Sequence, residues 1–239
     1  MITLKRLKHL LRRYIYRLHL AIQYIGSADD RTVYLTIDDG PSENTEFILH
    51  ILNYYHVNAT FFVTEMNTGC FQKVSEIISS GNAIGLHSCS HDYSLIYRSS
   101  EDFFADIDKE RSDIKDIVGV DTKIIRFPGG TDNTISMNYC KGVMKKLCSV
   151  ANERNIPFFD WDVEVGSPFG ACRSLLYYRK RFVMQAAFRK SVIVLAHDWN
   201  DHRKILFLLP YVIEFYQRRH YTFKILTDDI PSRYHKPQN

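Results

Sequence analysis

The sequence predicts a single α/β domain with a parallel sheet, preceded by a short N-terminal segment of different character. From residue 32 onward, short apolar segments alternate with longer helical ones, which is typical of βαβ units. Apolar residues make up 45% of the chain and charged residues 24%, as in globular proteins with a sizeable core. No linker rich in Gly, Pro or Ser divides this part of the chain, so one domain is expected.

The predicted strands and helices follow one another in regular alternation. Strands are expected at residues 32–37, 58–63, 82–87, 123–127, 156–162, 191–196 and 221–226. Helices are expected near residues 43–55, 71–80, 100–118, 136–153, 173–189 and 203–218. About seven parallel strands in one series fit a barrel and a doubly wound sheet equally well. Both architectures place functional residues at the C-terminal ends of the strands.

Residues 1–30 are predicted to form a basic amphipathic helix that precedes the main domain, residues 31–239. Residues 1–28 hold six of the 31 basic residues of the chain and none of its 27 acidic ones. Apolar residues recur there at helical spacing, at Leu4, Leu7, Leu11, Ile15, Leu18 and Ile22. The rest of the chain is slightly acidic, so its charge gives no reason to expect nucleic acid as a partner.

Three roles remain open for this basic segment. It is expected to lie on an anionic membrane surface, to pack on its own domain, or to be a cleaved transit peptide. Its arginines interrupt the apolar core that a secretory signal needs, and no stretch of the sequence is long and apolar enough to span a bilayer. Five cysteines without Cys-x-x-Cys pairing favour a reducing compartment. A cytoplasmic or membrane-associated location is therefore expected over a secreted one.

Ionisable residues collect where the predicted strands end. In chain order they are Asp38 and Asp39, His87 and His91, Arg126, then Asp160, Asp162 and Glu164, and finally His197 and Asp198. Asp-Gly and Gly-Pro, which follow the first strand, are also ordinary turn sequences. Three histidines and an aspartate pair, all at strand ends, nevertheless indicate a functional site at one end of the sheet.

Two imidazoles and one carboxylate are a typical ligand set for zinc or a similar divalent ion, with coordination positions left open. His87, His91 and one of the two aspartates supply these ligand types. The other aspartate can then act as the base that takes a proton from an attacking water. Because neighbouring side chains alternate along a strand, Asp38 and Asp39 are expected to differ in role.

Five motifs, "TIDDG", "HSCSH", "RFPGG", "DWDVEV" and "VLAH", occur in this order between residues 32 and 226. The set resembles the NodB-homology polysaccharide deacetylases, carbohydrate esterase family four. The resemblance implies a distorted (β/α) barrel and makes residues 31–239 the catalytic domain. It also implies removal of N-acetyl groups from a polysaccharide or oligosaccharide of the N-acetylglucosamine type. The divalent metal that it implies is Zn²⁺, with Co²⁺ or Ni²⁺ as alternatives.

The resemblance also assigns roles to individual residues. Asp39, His87 and His91 are the implied metal ligands. The implied catalytic residues are Asp38 as general base, Arg126 as the residue that orients it, Gly129 as a backbone donor to the oxyanion, and His197 as general acid.

Two positions depart from the family pattern. Many members carry an aromatic residue where this chain has Gly129. Many carry an aspartate that tunes the catalytic histidine where this chain has Ser167. Asp160, Asp162 and Glu164 are open as substitutes for that aspartate. Two other functions stay open: a membrane-associated deacetylase or deformylase of a lipid-linked sugar, and a non-catalytic, metal-retaining sugar-binding protein.

Overall fold

Parallel strands form the centre of the protein. The computed structural model describes residues 31–65, 69–166, 173–186, 189–199 and 203–239. Within them the strands are β1 (Thr32–Asp38), β2 (Thr60–Val63), β3 (Ala83–Leu86), β4 (Val163–Glu164), β5 (Ser191–His197) and β6 (Thr222–Lys224). The helices are α1 (Thr45–Tyr54), α2 (Val74–Ser79), α3 (Tyr93–Ile96), α4 (Ser100–Val118), α5 (Val143–Glu153), α6 (Leu175–Gln185) and α7 (Ile205–Gln217). Single 3₁₀ turns lie at Phe71–Lys73 and Ile135–Asn138.

Strand β1 organises the sheet, whose order is β3-β2-β1-β5-β4. β5 pairs with β1 along its whole length, from Thr32 to Asp38. The other side of β1 is shared, because β6 pairs with its first three residues and β2 with its last three. This division splays the strands and produces the distortion that the sequence resemblance implies.

The sheet closes into a distorted barrel through single bridges. Leu86 at the end of β3 bridges to Ile125, and Ile125 bridges to Phe158. The chain then continues from Phe158 to β4, which pairs with β5 and completes the ring. The α/β barrel fold is thereby confirmed.

Two of the seven expected strands are wrong in extent. Instead of strands at 123–127 and 156–162, isolated bridges occur at Ile125, Phe158 and Phe159, and the regular strand comes later, in β4. The Arg126 side chain gives the reason: its guanidinium donates to the carbonyl oxygens of Phe159 and Asp160, at 2.7 and 3.3 Å. These carbonyls are thus bound by a side chain rather than by a neighbouring strand.

The helices agree more closely with expectation. α4 matches its expected range, residues 100–118. The helix expected at 136–153 begins only at Val143, because Gly142 has a φ of 79°, a left-handed value that a helix cannot include. The four-residue helix α3 was not predicted, since it is too short to show a periodic pattern.

Alternation along β1 directs its polar side chains into the barrel. Val33, Leu35 and Ile37 belong to the main core between the strands and the helices. Thr36 and Asp38 alternate with these residues and face inward, where both contact Arg126. The pattern of apolar and polar residues in β1 therefore determines that Thr36 and Asp38 face the interior of the barrel.

The N-terminal segment predicted over residues 1–30 lies outside the described residues, and the division of the chain at residue 30 stays a prediction. Among the helices that are described, none combines the length and the apolar character needed to cross a bilayer.

Candidate active site

Asp38 and Asp39 face the same cavity, although neighbours on a regular strand would not. Asp39 follows the last residue of β1 and has a φ of 70°, a left-handed conformation that Asp tolerates better than most residues. The Nε2 atom of His87 lies 3.7 Å from Oδ2 of Asp38 and 3.5 Å from Oδ1 of Asp39. The two aspartates come close to the same histidine because the chain leaves strand geometry at Asp39.

Asp39, His87 and His91 form a cluster of potential metal ligands. One ligand atom from each lies within 4.8 Å of the others, and Nε2 of His91 is 3.4 Å from Oδ1 of Asp39. His87 Nδ1–H donates to the carbonyl oxygen of Arg126 at 2.7 Å. That bond places the proton on Nδ1 and leaves the lone pair of Nε2 directed at the two carboxylates.

The spacing within the cluster fits a bound ion. Separations of 3.4 and 3.5 Å between the imidazole nitrogens and Asp39 Oδ1 exceed ordinary hydrogen-bond lengths. Two ligand atoms that each lie about 2.1 Å from a tetrahedral ion stand roughly 3.4 Å apart. With its nitrogen and oxygen donors, the cluster is a possible metal-binding site.

Helix α4 holds the loop that carries both histidines. Glu110, which is fully buried, accepts hydrogen bonds from the backbone N–H groups of His87 and Ser88 through Oε2, at 3.1 and 2.9 Å. One turn earlier, Asp106 accepts from the N–H groups of Cys89 and Ser90, at 2.7 and 3.1 Å. The two carboxyl groups fix the course of the loop from residue 87 to residue 91.

Sequence reasoning missed this support. Asp106 and Glu110 lie four residues apart on α4 and so share one face of the helix. Glu110 also contacts the main core face of α4, where a charged residue is unusual. An acidic pair facing the core of an otherwise amphipathic helix was the signal available in the sequence.

The protonation of the three ligands reflects burial and mutual charge. Burial alone would raise the pKa of Asp39, but a bond from His87 and the charges of three histidines, including His197, hold it below the usual range. Burial and the charge of His87 lower the pKa of His91 to about 4. The pKa of His87 is raised, because Asp38 and Asp39 outweigh its burial. His91 is therefore a neutral ligand at neutral pH, and protons compete more strongly for His87.

Arg126 fixes the orientation of Asp38. Its Nη1 donates to Oδ1 of Asp38 and to Oγ1 of Thr36, both at 2.7 Å, and its side chain is fully buried. The guanidinium also lies 4.2 Å from the centre of the Phe62 ring. Because one oxygen of Asp38 is held by Arg126, its second oxygen is the one that faces His87.

His197 lies beside Asp38 at the end of β5, where the two residues are partners in the parallel ladder. Its neighbour Asp198 is fully buried and accepts hydrogen bonds from the hydroxyl groups of Ser42 and Thr45, both at 2.5 Å. Asp198 thereby ties the end of β5 to the loop between β1 and α1.

Glu164 is one of the substitutes considered for the aspartate of the fourth motif. Burial raises its pKa, and the charges of Arg181 and His197 oppose that rise. Asp160 is bound instead by Thr131 and by the backbone N–H of His235. Asp162 pairs with Arg189 and Arg233 at the opposite end of β5. Ser167 lies outside the described residues.

Cys89, between the two histidines, points away from the cluster. Its sulfur lies 3.0 Å from Lys109 Nζ, which also pairs with Glu65 and Asp113 at 2.9 and 2.6 Å. The Lys109 ammonium lies between Cys89, Glu65 and Asp113. Cys89 is therefore not placed as a fourth ligand of the metal site.

Fold and site together define an α/β barrel protein with a carboxylate–histidine cluster at the C-terminal ends of its strands. A family model described as polysaccharide deacetylase matches residues 25–144. The crystal structure of the catalytic domain of a peptidoglycan N-acetylglucosamine deacetylase from Eubacterium rectale is similar at a TM-score of 0.82. Its sequence is 34% identical, and the match covers 87% of this chain and 94% of that one.

Two further relatives agree with this match. A CE4 esterase from Streptococcus mutans is 27% identical with a TM-score of 0.70, covering 87% of this chain and 90% of that chain. A peptidoglycan-N-acetylglucosamine deacetylase of Bacillus cereus is 23% identical over 201 residues, which are 81% of this chain and 68% of that protein. The chain therefore belongs to the polysaccharide deacetylase family, the CE4 enzymes that the motifs resemble.

Proposed function

We propose that this protein is a divalent-metal-dependent hydrolase that removes N-acetyl groups from a glycan of the N-acetylglucosamine type. The observation that carries the proposal is the arrangement of Asp39, His87 and His91 beside the Arg126-bound carboxylate of Asp38. A possible ligand set and an oriented base next to it are what hydrolysis of an amide requires.

The proposed mechanism uses the chain's own residues around that centre. Asp39, His87 and His91 would hold a divalent ion, which would supply Lewis acidity for the acetamide carbonyl and for water. Asp38 accepts the proton of the attacking water, and Arg126 holds its carboxylate in one orientation. The Gly129 N–H donates to the oxygen that gains charge. His197 donates a proton to the departing amine, which is otherwise a poor leaving group.

Zinc is the proposed metal. Two imidazole nitrogens and one carboxylate oxygen are donors that zinc accepts with tetrahedral geometry and an open position. Cobalt and nickel accept the same donors, and selection between them depends on metal availability as much as on affinity. Amino-sugar substrates are proposed because the Eubacterium rectale and Bacillus cereus relatives are named as N-acetylglucosamine deacetylases.

The test is acetate release from N-acetylated chito-oligosaccharides and from peptidoglycan by metal-free protein loaded in turn with Zn²⁺, Co²⁺ and Ni²⁺. We expect acetate with at least one metal and none with the metal-free protein. Acetate release that is unchanged by a chelator would contradict metal dependence. Binding of the oligosaccharide without any acetate release would instead favour the non-catalytic sugar-binding protein.

A lipid-linked sugar at a membrane is the second candidate substrate. The observation that favours it is the charge of residues 1–28, which carry six basic residues and no acidic one. An assay with an N-acylated, lipid-linked amino sugar in vesicles, next to the soluble oligosaccharide, separates the two. Faster release from the lipid-linked substrate would support the second candidate.

A further inference from the structure

Tyr93 lies beside the ligand His91 and next to Gly129. A Cβ atom placed on Gly129 would lie 2.8 Å from the Tyr93 hydroxyl oxygen and 3.6 Å from Cζ of its ring. Gly129 also has a φ of 78°, which disfavours a side chain there independently of the available space. The space that a side chain at position 129 would need is therefore taken here by Tyr93.

The ring of Tyr93 is fixed by its neighbours on two sides. Its centroid lies 5.6 Å from the ring of His91 and 5.3 Å from the ring of Tyr97, the latter in an edge-to-face arrangement. Aromatic pairs at such distances are favourable beyond the area that they bury. The ring therefore holds the hydroxyl in one place beside the ligand cluster.

The hydroxyl of Tyr93 is available to a ligand. Tyr97, one turn further along, is fully buried and donates its hydroxyl proton to the carbonyl of Pro128 at 2.6 Å. Tyr93 is only half-buried, and none of the residues that the structure describes forms a hydrogen bond with its hydroxyl. A tyrosine hydroxyl can donate one hydrogen bond, so Tyr93 can serve as a donor to a substrate oxygen.

We propose that the Tyr93 hydroxyl and the Gly129 N–H together bind the carbonyl oxygen of the acetamide group in the substrate. The Tyr93 hydroxyl oxygen lies close to the Gly129 backbone and the Tyr93 ring packs on the ligand His91, so the two donors can reach one acceptor oxygen beside the cluster. That oxygen gains negative charge as water adds, so the hydrogen bond from Tyr93 strengthens in the transition state. This inference rests on the proposed deacetylase function and adds to it a catalytic residue outside the five motifs.

Tyr93→Phe tests the inference, because it removes the hydroxyl and keeps the ring that packs on His91. We expect kcat on an N-acetylated chito-oligosaccharide to fall about 10²-fold, as after loss of one oxyanion donor, with unchanged metal content. Binding of the same oligosaccharide, measured by calorimetry, should weaken a few-fold, since one neutral hydrogen bond contributes modestly in the ground state. Tyr54→Phe is the matched control, because Tyr54 is 73% exposed on α1.

The outcomes separate this inference from the proposed function. An active parent with Tyr93→Phe at equal kcat and equal affinity overturns the role of the hydroxyl and leaves the deacetylase function standing. If the parent binds the oligosaccharide but releases no acetate, the proposed function fails. Weaker binding by Tyr93→Phe then still supports the contact, and equal binding overturns it. A loss of metal from Tyr93→Phe would assign Tyr93 to support of His91 and also overturn the inference.

Discussion

At the scale of single residues, two adjacent aspartates have different partners. Asp38 is bound by the fully buried Arg126 at 2.7 Å, and Asp39 lies next to His87 and His91. A carboxylate held by a guanidinium keeps one orientation, as a base requires. A carboxylate beside two imidazole nitrogens is instead suited to share an ion with them.

Asp38→Asn should retain the metal and lose nearly all turnover. The amide oxygen can still accept the hydrogen bond from Arg126, but the amide cannot take a proton from water. General bases contribute roughly 10²–10⁴-fold, so acetate release should fall by a factor in that range. Elemental analysis next to the rate measurement checks both parts. Turnover within a few-fold of the parent would remove Asp38 from the role of base.

His87→Ala and His91→Ala should each lower the amount of divalent metal that the protein retains. Each variant removes one of three donors whose spacing fits an ion. His50→Ala serves as the control, because His50 is exposed on α1 and belongs to no cluster of described residues. Metal retention should also increase from pH 5 to pH 8, since His87, with its raised pKa, must lose a proton to bind. Parental metal content in both variants would contradict the ligand assignment.

At the scale of elements, strand β1 was predictable and the loop after it was not. The alternation of apolar and polar residues in β1 predicts which side chains face the barrel and that Asp38 ends it. The turn of the chain at Asp39 depends on a left-handed backbone conformation that an Asp can adopt but does not require. The Asp-Gly and Gly-Pro sequences indicate a turn after the strand, but they do not specify a left-handed conformation at Asp39.

Features that depend on contacts between residues far apart in the sequence could not be predicted from local patterns. The expected strand at 156–162 is irregular, because Arg126, more than 30 residues earlier, binds its carbonyl groups. Glu110 supports His87 from 23 residues away, so the helix pattern shows an unusual acidic residue but not which loop it binds. Chemistry at strand ends could therefore be predicted from residue types, whereas the supports of that chemistry required the tertiary structure.

Asp198 connects β5 to the start of α1, and its burial makes this connection dependent on pH. Burial raises the pKa of its carboxyl above the ordinary 3.8, despite hydrogen bonds from Ser42 and Thr45. The folded state then holds a proton that the unfolded state releases, so the free energy of unfolding decreases as pH rises from about 4 through the folded pKa. Asp198→Asn should remove this contribution.

Urea unfolding of the parent and of Asp198→Asn between pH 4 and pH 8 measures the contribution of Asp198 to the free energy of unfolding. The stability of the parent relative to the variant should be greatest near pH 4 and smaller at higher pH. Asp228→Asn, at an exposed position, controls for the loss of a charge. A relative stability that grows with pH would mean that the folded state prefers the ionised carboxylate.

At the scale of the whole molecule, the contacts described around the site join residues that follow position 30. Thr32 at the start of β1 bonds to the backbone of Lys190, and Arg31 accepts from Thr222. The barrel closes through β1 to β5 and the bridges at Ile125 and Phe158. A chain that begins at residue 29 should therefore fold, bind metal and release acetate from a soluble oligosaccharide like the full chain.

The same truncation tests the role of the basic segment. Six basic residues near an anionic leaflet contribute about 1 kcal/mol each, and an apolar face adds to this. The full chain should therefore co-sediment with vesicles that contain anionic lipid, and the truncated chain should not. Salt should weaken the attachment, because exposed charges are screened over about 8 Å at physiological ionic strength. Neutral vesicles provide the control. Equal sedimentation of both chains, together with a lower unfolding temperature of the truncated one, would show instead that the segment packs on its own domain.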